Sequence, residues 1–252
     1  MDKLISIILP VYNEQGNIEG VVNHTLRFLS ELVNNFEIII VNDGSIDNTF
    51  KVLEDMSRKN HSIKVITHPK NFGYGAALTS GFKNAKFPLI FFMDADGQFS
   101  ISEINKLISY VEDYDIIVGY RYNRKDSRYR VILGKVYSWL VFLLFGLKLK
   151  DVNCGFKLCK REILNLENIC NSKSGVFYTE FLLKAKEKKY KIKEVPIAHF
   201  PRQKGRQTGA SPKVIFNTVI DLIRLKHYLI RDRIKNWFFR KMNGNKQEEE
   251  RE

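Results

Sequence analysis

Cysteine is scarce in this chain of 252 residues: Cys154, Cys159 and Cys170 form an odd set without zinc-type spacing. That excludes a disulfide framework and a structural zinc site, and a reducing, cytosolic setting is expected. The histidines, His24, His61, His68, His199 and His227, are equally sparse and lack metal-ligand spacing, so surface or supporting roles are expected for them. Long apolar runs are missing. The most hydrophobic stretch, residues 136–147 (VYSWLVFLLFGL), is a dozen residues where a bilayer-spanning helix needs roughly twenty. The apolar start at residues 4–9 is too short for a secretory leader and has strand character. No GxGxxG fingerprint and no Walker GK[ST] occurs, the nearest approach being Gly73-Tyr74-Gly75, which sets aside dinucleotide oxidoreductases and P-loop NTPases. Acidic residues are outnumbered, 28 against 41 basic, leaving a formal charge of +13. The excess suits a polyanionic partner or surface.

What is present is a rhythm. Apolar runs at residues 4–9, 36–41, 63–66 and 89–93 each end in polar residues, and segments of helical length at 16–33 and 47–58 separate the first three. Ser45 or Asp47 is placed to cap the second of these helices. Strand, helix, strand at this spacing predicts right-handed crossovers and an α/β fold with a mostly parallel sheet, whose ligands bind at the strands' carboxyl ends. The sharpest of these ends is LIFFMDADGQ, residues 89–98, where Asp94 and Asp96 follow an apolar strand. Alternation turns both carboxylates to one side and Ala95 to the other, so hard oxygens converge where a divalent cation bridges to phosphate. A lone Asp-x-Asp is most often a polar turn; four polar clusters at four strand ends favour a site.

The motifs PVYNE (residues 10–14), NDGS (42–45), GYGAA (73–77), DADGQ (94–98) and DVNCGFK (151–157) together resemble family 2 inverting glycosyltransferases of the GT-A fold. Within that family the chain is most similar to the polyprenyl-phosphate sugar transferases, the group of dolichyl-phosphate mannose synthase. The resemblance spans residues 4–210 and implies a Rossmann-like central sheet flanked by helices. It also implies an inverting, metal-dependent hexosyl transfer from a GDP- or UDP-linked sugar to a polyprenyl phosphate, with Mg²⁺ or Mn²⁺. Pro10, Tyr12, Glu14, Val41 and Asp43 then line the nucleoside pocket, with Asp94, Ala95 and Asp96 at the diphosphate; Asp94, Asp96 and Gln98 hold the metal. Arg121 and Arg202 match positions that grip phosphates. Where many polyprenyl-phosphate transferases show Ser four residues after the Arg matching Arg130, this chain has Gly134.

A lipid phosphate is already an anionic nucleophile at neutral pH and needs cations such as Arg121, Arg130 and Arg202 more than a base. A hydroxyl acceptor needs a carboxylate, for which Glu180 in FYTE (177–180) and Asp151 are the candidates. Transfer to a glycan hydroxyl and a non-catalytic polyanion-binding role remain as alternatives, and nucleic acid is not an expected partner. The expected organisation is a catalytic domain at 1–210, a basic amphipathic helix at 211–242 and a disordered acidic tail at 243–252. Residues 202–241 hold eleven Lys or Arg against Asp221 and Asp232. Ser211 and Pro212 announce the helix. Phe216, Val219, Ile220, Ile223, Ile230, Ile234 and Trp237 recur at helical steps with Phe238 and Phe239 near the end. Helix and 136–147 segment, both flanked by cations, are expected to lie on the core, on an anionic membrane surface, or on both. The protein is then peripheral at the cytosolic membrane face, with or without an anchoring partner. Residues 202–209, with Gly205 and Gly209, read as a mobile loop over bound donor.

Overall fold

The computed structural model describes residues 4–164, 172, 175–205 and 211–249, with side chains through residue 231. In chain order the elements are β1 (Leu4–Val11), α1 (Ile18–Leu32), β2 (Asn35–Asn42), α2 (Thr49–Lys59), β3 (Ile63–Thr67) and α3 (Tyr74–Asn84). There follow β4 (Leu89–Met93), α4 (Ile104–Ile108), β5 (Ile116–Tyr122), α5 (Arg128–Phe145), β6 (Phe156–Lys160), α6 (Phe177–Glu187), β7 (Ile192–Ala198) and α7 (Pro212–Glu249). The described strands form one sheet in the order β3-β2-β1-β4-β6-β5-β7. β1 to β4 pair in parallel, while β6 runs antiparallel to both β4 and β5. The expected mostly parallel α/β sheet is present, and the antiparallel β6 is a feature that the strand rhythm did not reveal.

Period-two alternation places a core on each face of the sheet. Ile8, Ile39, Val41, Ile90 and Phe92 point toward the layer of α3, α5, α6 and α7. Ile7, Leu9, Ile38, Ile40 and Phe91 point toward the layer of α1, α2 and α4. The chain passes from β1 out to β3 and then returns to the other side of β1 with β4, so the strand order reverses between β1 and β4. At such a reversal the flanking loops part and leave a crevice beyond the strand ends.

The helices refine the expected boundaries. α2 begins at Thr49, and Asp47 Oδ1 accepts from the Thr49 amide at 3.0 Å, whereas Ser45 Oγ accepts from the Asn13 amide and ties two loops together instead. α5 starts well before the apolar stretch, and its own alternation divides that stretch. Tyr137 and Val141 enter the core, whereas Ile132, Val136, Trp139 and Leu143 are exposed. In α7, Ser211 Oγ accepts from the Val214 amide as the cap. Its buried stripe is Leu222, Leu225 and Leu229, while Phe216, Val219, Ile223 and Ile230 of the expected stripe are exposed. The α7 backbone stays helical to Glu249, past the start of the expected tail. Cys170, Gly209, Glu250 and the side chains of Ile234, Trp237, Phe238 and Phe239 lie outside the described residues. No helix among the described residues is long and apolar enough to cross a membrane.

Candidate active site

At the β1/β4 reversal lies a cavity of about 550 Å³, within the range of small-molecule sites. Its floor comes from the ends of β1 and β4. Pro10, Tyr12 and Glu14 follow from one, and Asp94, Ala95, Asp96 and Gln98 from the other. Asp43 at the end of β2, Tyr74 at the start of α3, Arg130 of α5 and Arg202 complete it. Most of the expected site residues therefore meet in one place. Four do not line it: Val41, Arg121, Asp151 and Glu180.

Their placements have physical reasons. Val41 is fully buried because its side chain faces the core layer of α3. Arg121 forms a fork with Asp151, Nε to Oδ2 at 2.6 Å and Nη2 to Oδ1 at 2.7 Å, and approaches Asp126 at 3.9 Å. Its positive charge reaches Asp94 through space, partly opposing the rise that burial and Asp96 impose on that carboxyl's pKa, rather than by contact with the cavity. Glu180 is fully buried, with Lys184 at 2.9 Å on one oxygen and the Ser172 amide at 2.9 Å on the other. Asp151, the alternative base, is held ionised by Arg121 against the opposing effect of its burial. Both candidate bases are thus engaged elsewhere.

Asp43, which lines the cavity, also holds neighbouring backbone in place. Its Oδ1 accepts from the Phe72 amide at 2.9 Å and contacts His68 Nδ1 at 2.7 Å, and its Oδ2 accepts from the Gly73 amide at 2.8 Å. It therefore moors the loop before α3 to the cavity wall, with one lone pair left on Oδ2 for a ligand. His68, supported on its other nitrogen by Ser80 at 2.8 Å, is the group behind it.

Arg202 spans the mouth. Its Nη2 donates to both Glu14 oxygens, at 2.6 and 2.7 Å, and its Nη1 reaches Asp96 Oδ2 at 3.2 Å. The backbone around it is docked, since Lys204 O accepts from Asn17 and Arg202, and Phe200 exchanges hydrogen bonds with Gln98. Arg130, which also lines the cavity, sits 3.5 Å from Asp126, which Arg124 also holds. A Cβ at Gly134 would run into the Arg124 guanidinium, so this side chain fills the space opened by the glycine.

Both carboxylates are perturbed by their surroundings. Burial, followed by the neighbouring charge of Asp96, pushes Asp94 from 3.8 up to about 7. Burial also raises Asp96, against the amide of Gln98 and the charge of Arg202. No described residue donates to Asp94 Oδ2, since Tyr74 engages Oδ1 at 2.6 Å. Two hard oxygen donors repelling each other in one cavity fit a divalent cation such as Mg²⁺ or Mn²⁺. Among the described residues no group of three or more His, Cys, Asp or Glu that could hold a metal ion is present.

The profile described as Glycosyl transferase family 2 matches residues 6–166. The undecaprenyl-phosphate 4-deoxy-4-formamido-L-arabinose transferase of Proteus mirabilis (strain HI4320) is 30% identical over 222 residues, covering 87% of this chain and 66% of that protein. The chain thus spans about two thirds of the length of the curated relatives it matches. Among solved structures, glucosyl-3-phosphoglycerate synthase from Mycobacterium tuberculosis with phosphoglyceric acid superposes with a TM-score of 0.71 at 17% identity, covering 89% of this chain and 80% of that one. A second structure of that synthase, with Mn²⁺, uridine diphosphate and phosphoglyceric acid, gives 0.69 at 16% identity over 89% and 78%. The fold is therefore shared with these synthases, and the profile match over most of the sheet and cavity residues settles the family: this chain belongs to glycosyl transferase family 2.

Proposed function

We propose that the chain transfers a sugar from a nucleotide diphosphate sugar to a polyprenyl phosphate at a membrane surface. The observation that carries this reading is the meeting of Asp94 and Asp96 with Arg130 and Arg202 in one cavity at a strand-order reversal. Mg²⁺ or Mn²⁺ held by Asp94 and Asp96 would neutralise charge growing on the departing diphosphate. The side chains supply the rest. Tyr12 and Asp43 flank the nucleoside, one offering a half-exposed ring and the other a free lone pair. Arg202, already bridging Glu14 and Asp96, has a guanidinium fork suited to phosphate oxygens. Arg130 serves as the cation for the acceptor. The acceptor oxygen attacks the anomeric carbon as the bond to the nucleoside diphosphate breaks on the far side, inverting the centre.

A phosphate monoester brings its own negative charge to this step, with a second pKa near 6. That agrees with the engagement of Asp151 by Arg121 and of Glu180 by Lys184, outside the cavity. The name of the Proteus mirabilis relative supports undecaprenyl phosphate as the acceptor class. The Mn²⁺ and uridine diphosphate of the solved neighbour make that pair the first to test, beside GDP-linked sugars.

The membrane part rests on α5. From Arg130 at the cavity, the helix continues through exposed Ile132, Val136, Trp139 and Leu143, at alternating steps of four and three residues, over about 20 Å at the α-helical rise. A lipid tail, or a monolayer, laid on that stripe keeps its phosphate at Arg130. Lys135 and Lys148 beside it suit anionic headgroups at the cytosolic face. The test is incubation with UDP- and GDP-sugars and undecaprenyl or dolichyl phosphate in detergent, with Mg²⁺ or Mn²⁺, read by mass spectrometry. One lipid-linked sugar is expected, lost with chelator and reduced at least a hundredfold in Asp96→Asn. Sugar transferred only to a hydroxyl acceptor, or lipid product unaffected by chelator, overturns the reading.

A further inference from the structure

Behind Asp94 stands a buried relay that the transfer step does not itself use. Lys157 of β6 is fully buried, a placement rare for lysine unless its charge has a task. Its ammonium donates to the carbonyls of Val152 and Cys154 and lies 3.5 Å from the ring centroid of Tyr178. The Tyr178 hydroxyl meets that of Tyr74, and Tyr74 donates to Asp94 Oδ1 at 2.6 Å. Because the one proton of Tyr74 goes to Asp94, Tyr178 must donate to Tyr74. Lys157 and Tyr178 do not line the cavity, whereas Tyr74 and Asp94 do.

The direction of the relay has a consequence. A cation over the face of Tyr178 draws electron density from the ring and makes its hydroxyl a stronger donor. In a chain of hydrogen bonds that strengthening passes to the next donor, Tyr74. Asp94 is pinned from behind as well. Its amide donates to Gly155 O at 3.0 Å, and a Cβ at Gly155 would fall on its carboxylate. With Oδ1 committed to Tyr74 and the backbone fixed, Oδ2 is the oxygen to which no described residue donates.

We propose that Lys157, Tyr178 and Tyr74 are positioning residues that aim the Asp94 carboxylate at a divalent cation, an inference that rests on the reading of Asp94 and Asp96 as cation ligands. The relay gives the ligand its orientation before any cation arrives, as outer hydrogen bonds do in metal sites generally. Tyr74 acts by its hydroxyl, Tyr178 through Tyr74, and Lys157 through Tyr178.

The test measures Mn²⁺ binding by the loss of its free-ion electron paramagnetic resonance signal, with UDP and, in parallel, GDP present. Tyr74→Phe should weaken Mn²⁺ binding about tenfold, with nucleotide affinity in chelator unchanged. Tyr178→Phe should weaken it less, and the double variant no more than Tyr74→Phe alone, because the two act in series. Lys157→Met, which keeps the volume, should behave as Tyr178→Phe does; if it does not fold, the tyrosine variants decide alone. Native protein that binds no Mn²⁺ overturns the cation reading itself. Native protein that binds while Tyr74→Phe binds equally well, or Tyr74→Phe that loses nucleotide affinity in chelator, overturns the relay and leaves the cation reading standing.

Discussion

Asp94 is under two opposed demands. As the proposed cation ligand it must be ionised, yet its burial and the charge of Asp96 favour the proton, pushing its pKa to about 7 from an ordinary 3.8. Between those values the folded chain holds a proton that the unfolded chain has released, so stability falls as pH rises through the window and the cost is complete above pH 7. The metal-free protein is then least at ease where the site is ready to bind. Asp94→Asn, which retains an acceptor for Tyr74, should stabilise the chain in chelator at pH 8 and leave it unchanged near pH 4. Urea unfolding at the two pH values checks this, and equal midpoints at pH 8 would contradict it. The opposite sign applies to Asp126, which Arg124 holds ionised against its burial.

At the scale of elements, β6 and α5 do most to shape the site. β6 enters the sheet antiparallel between β4 and β5, so that Phe156 pairs with Met93 at the very end of β4. That register brings Gly155 against Asp94 and Lys157 beneath Tyr178. α5 carries a cavity residue, Arg130, a core face of Tyr137 and Val141, and an exposed apolar stripe. Because the stripe is separate from the core face, charges placed there test docking without disturbing packing. Trp139→Asp with Leu143→Asp should lower binding to vesicles of phosphatidylserine and phosphatidylcholine about tenfold or more, with the unfolding midpoint in urea unchanged. Co-sedimentation reads the binding, and retention of full affinity would remove α5 from the membrane surface. α7 is anchored differently, by Leu222, Leu225 and Leu229 in the core and by Lys226 donating to Leu144 O.

At the scale of the whole molecule, the formal charge is +13 and the strand order reverses between β1 and β4. A net positive chain is drawn to anionic lipid and anionic substrate alike, and the attraction between exposed charges is screened by salt. Raising NaCl from 0.05 to 0.5 M should weaken vesicle binding at least tenfold, since each basic residue near an anionic surface contributes about 1 kcal/mol. Binding independent of salt would assign docking to apolar contacts alone. The parallel half of the sheet, from β1 to β4, was readable because each strand is an apolar run and each end is polar. The β6 insertion was not, because nothing in a five-residue strand states which neighbour it pairs with or in which direction.

By itself the sequence determined the α/β class, the strand ends that carry Asp43, Asp94 and Asp96, the family motifs and the basic charge, since these depend on local pattern and composition. Only the tertiary structure decided which of those groups act together. It drew Arg202 onto Asp96 and Glu14, committed Arg121 to Asp151 and Glu180 to Lys184, and turned the Leu222, Leu225 and Leu229 face of α7 inward. The physical reason is that a charged side chain's role follows from its partners in space. Those partners lie up to 188 positions away along the chain, as Glu14 and Arg202 do, where no local periodicity can register them.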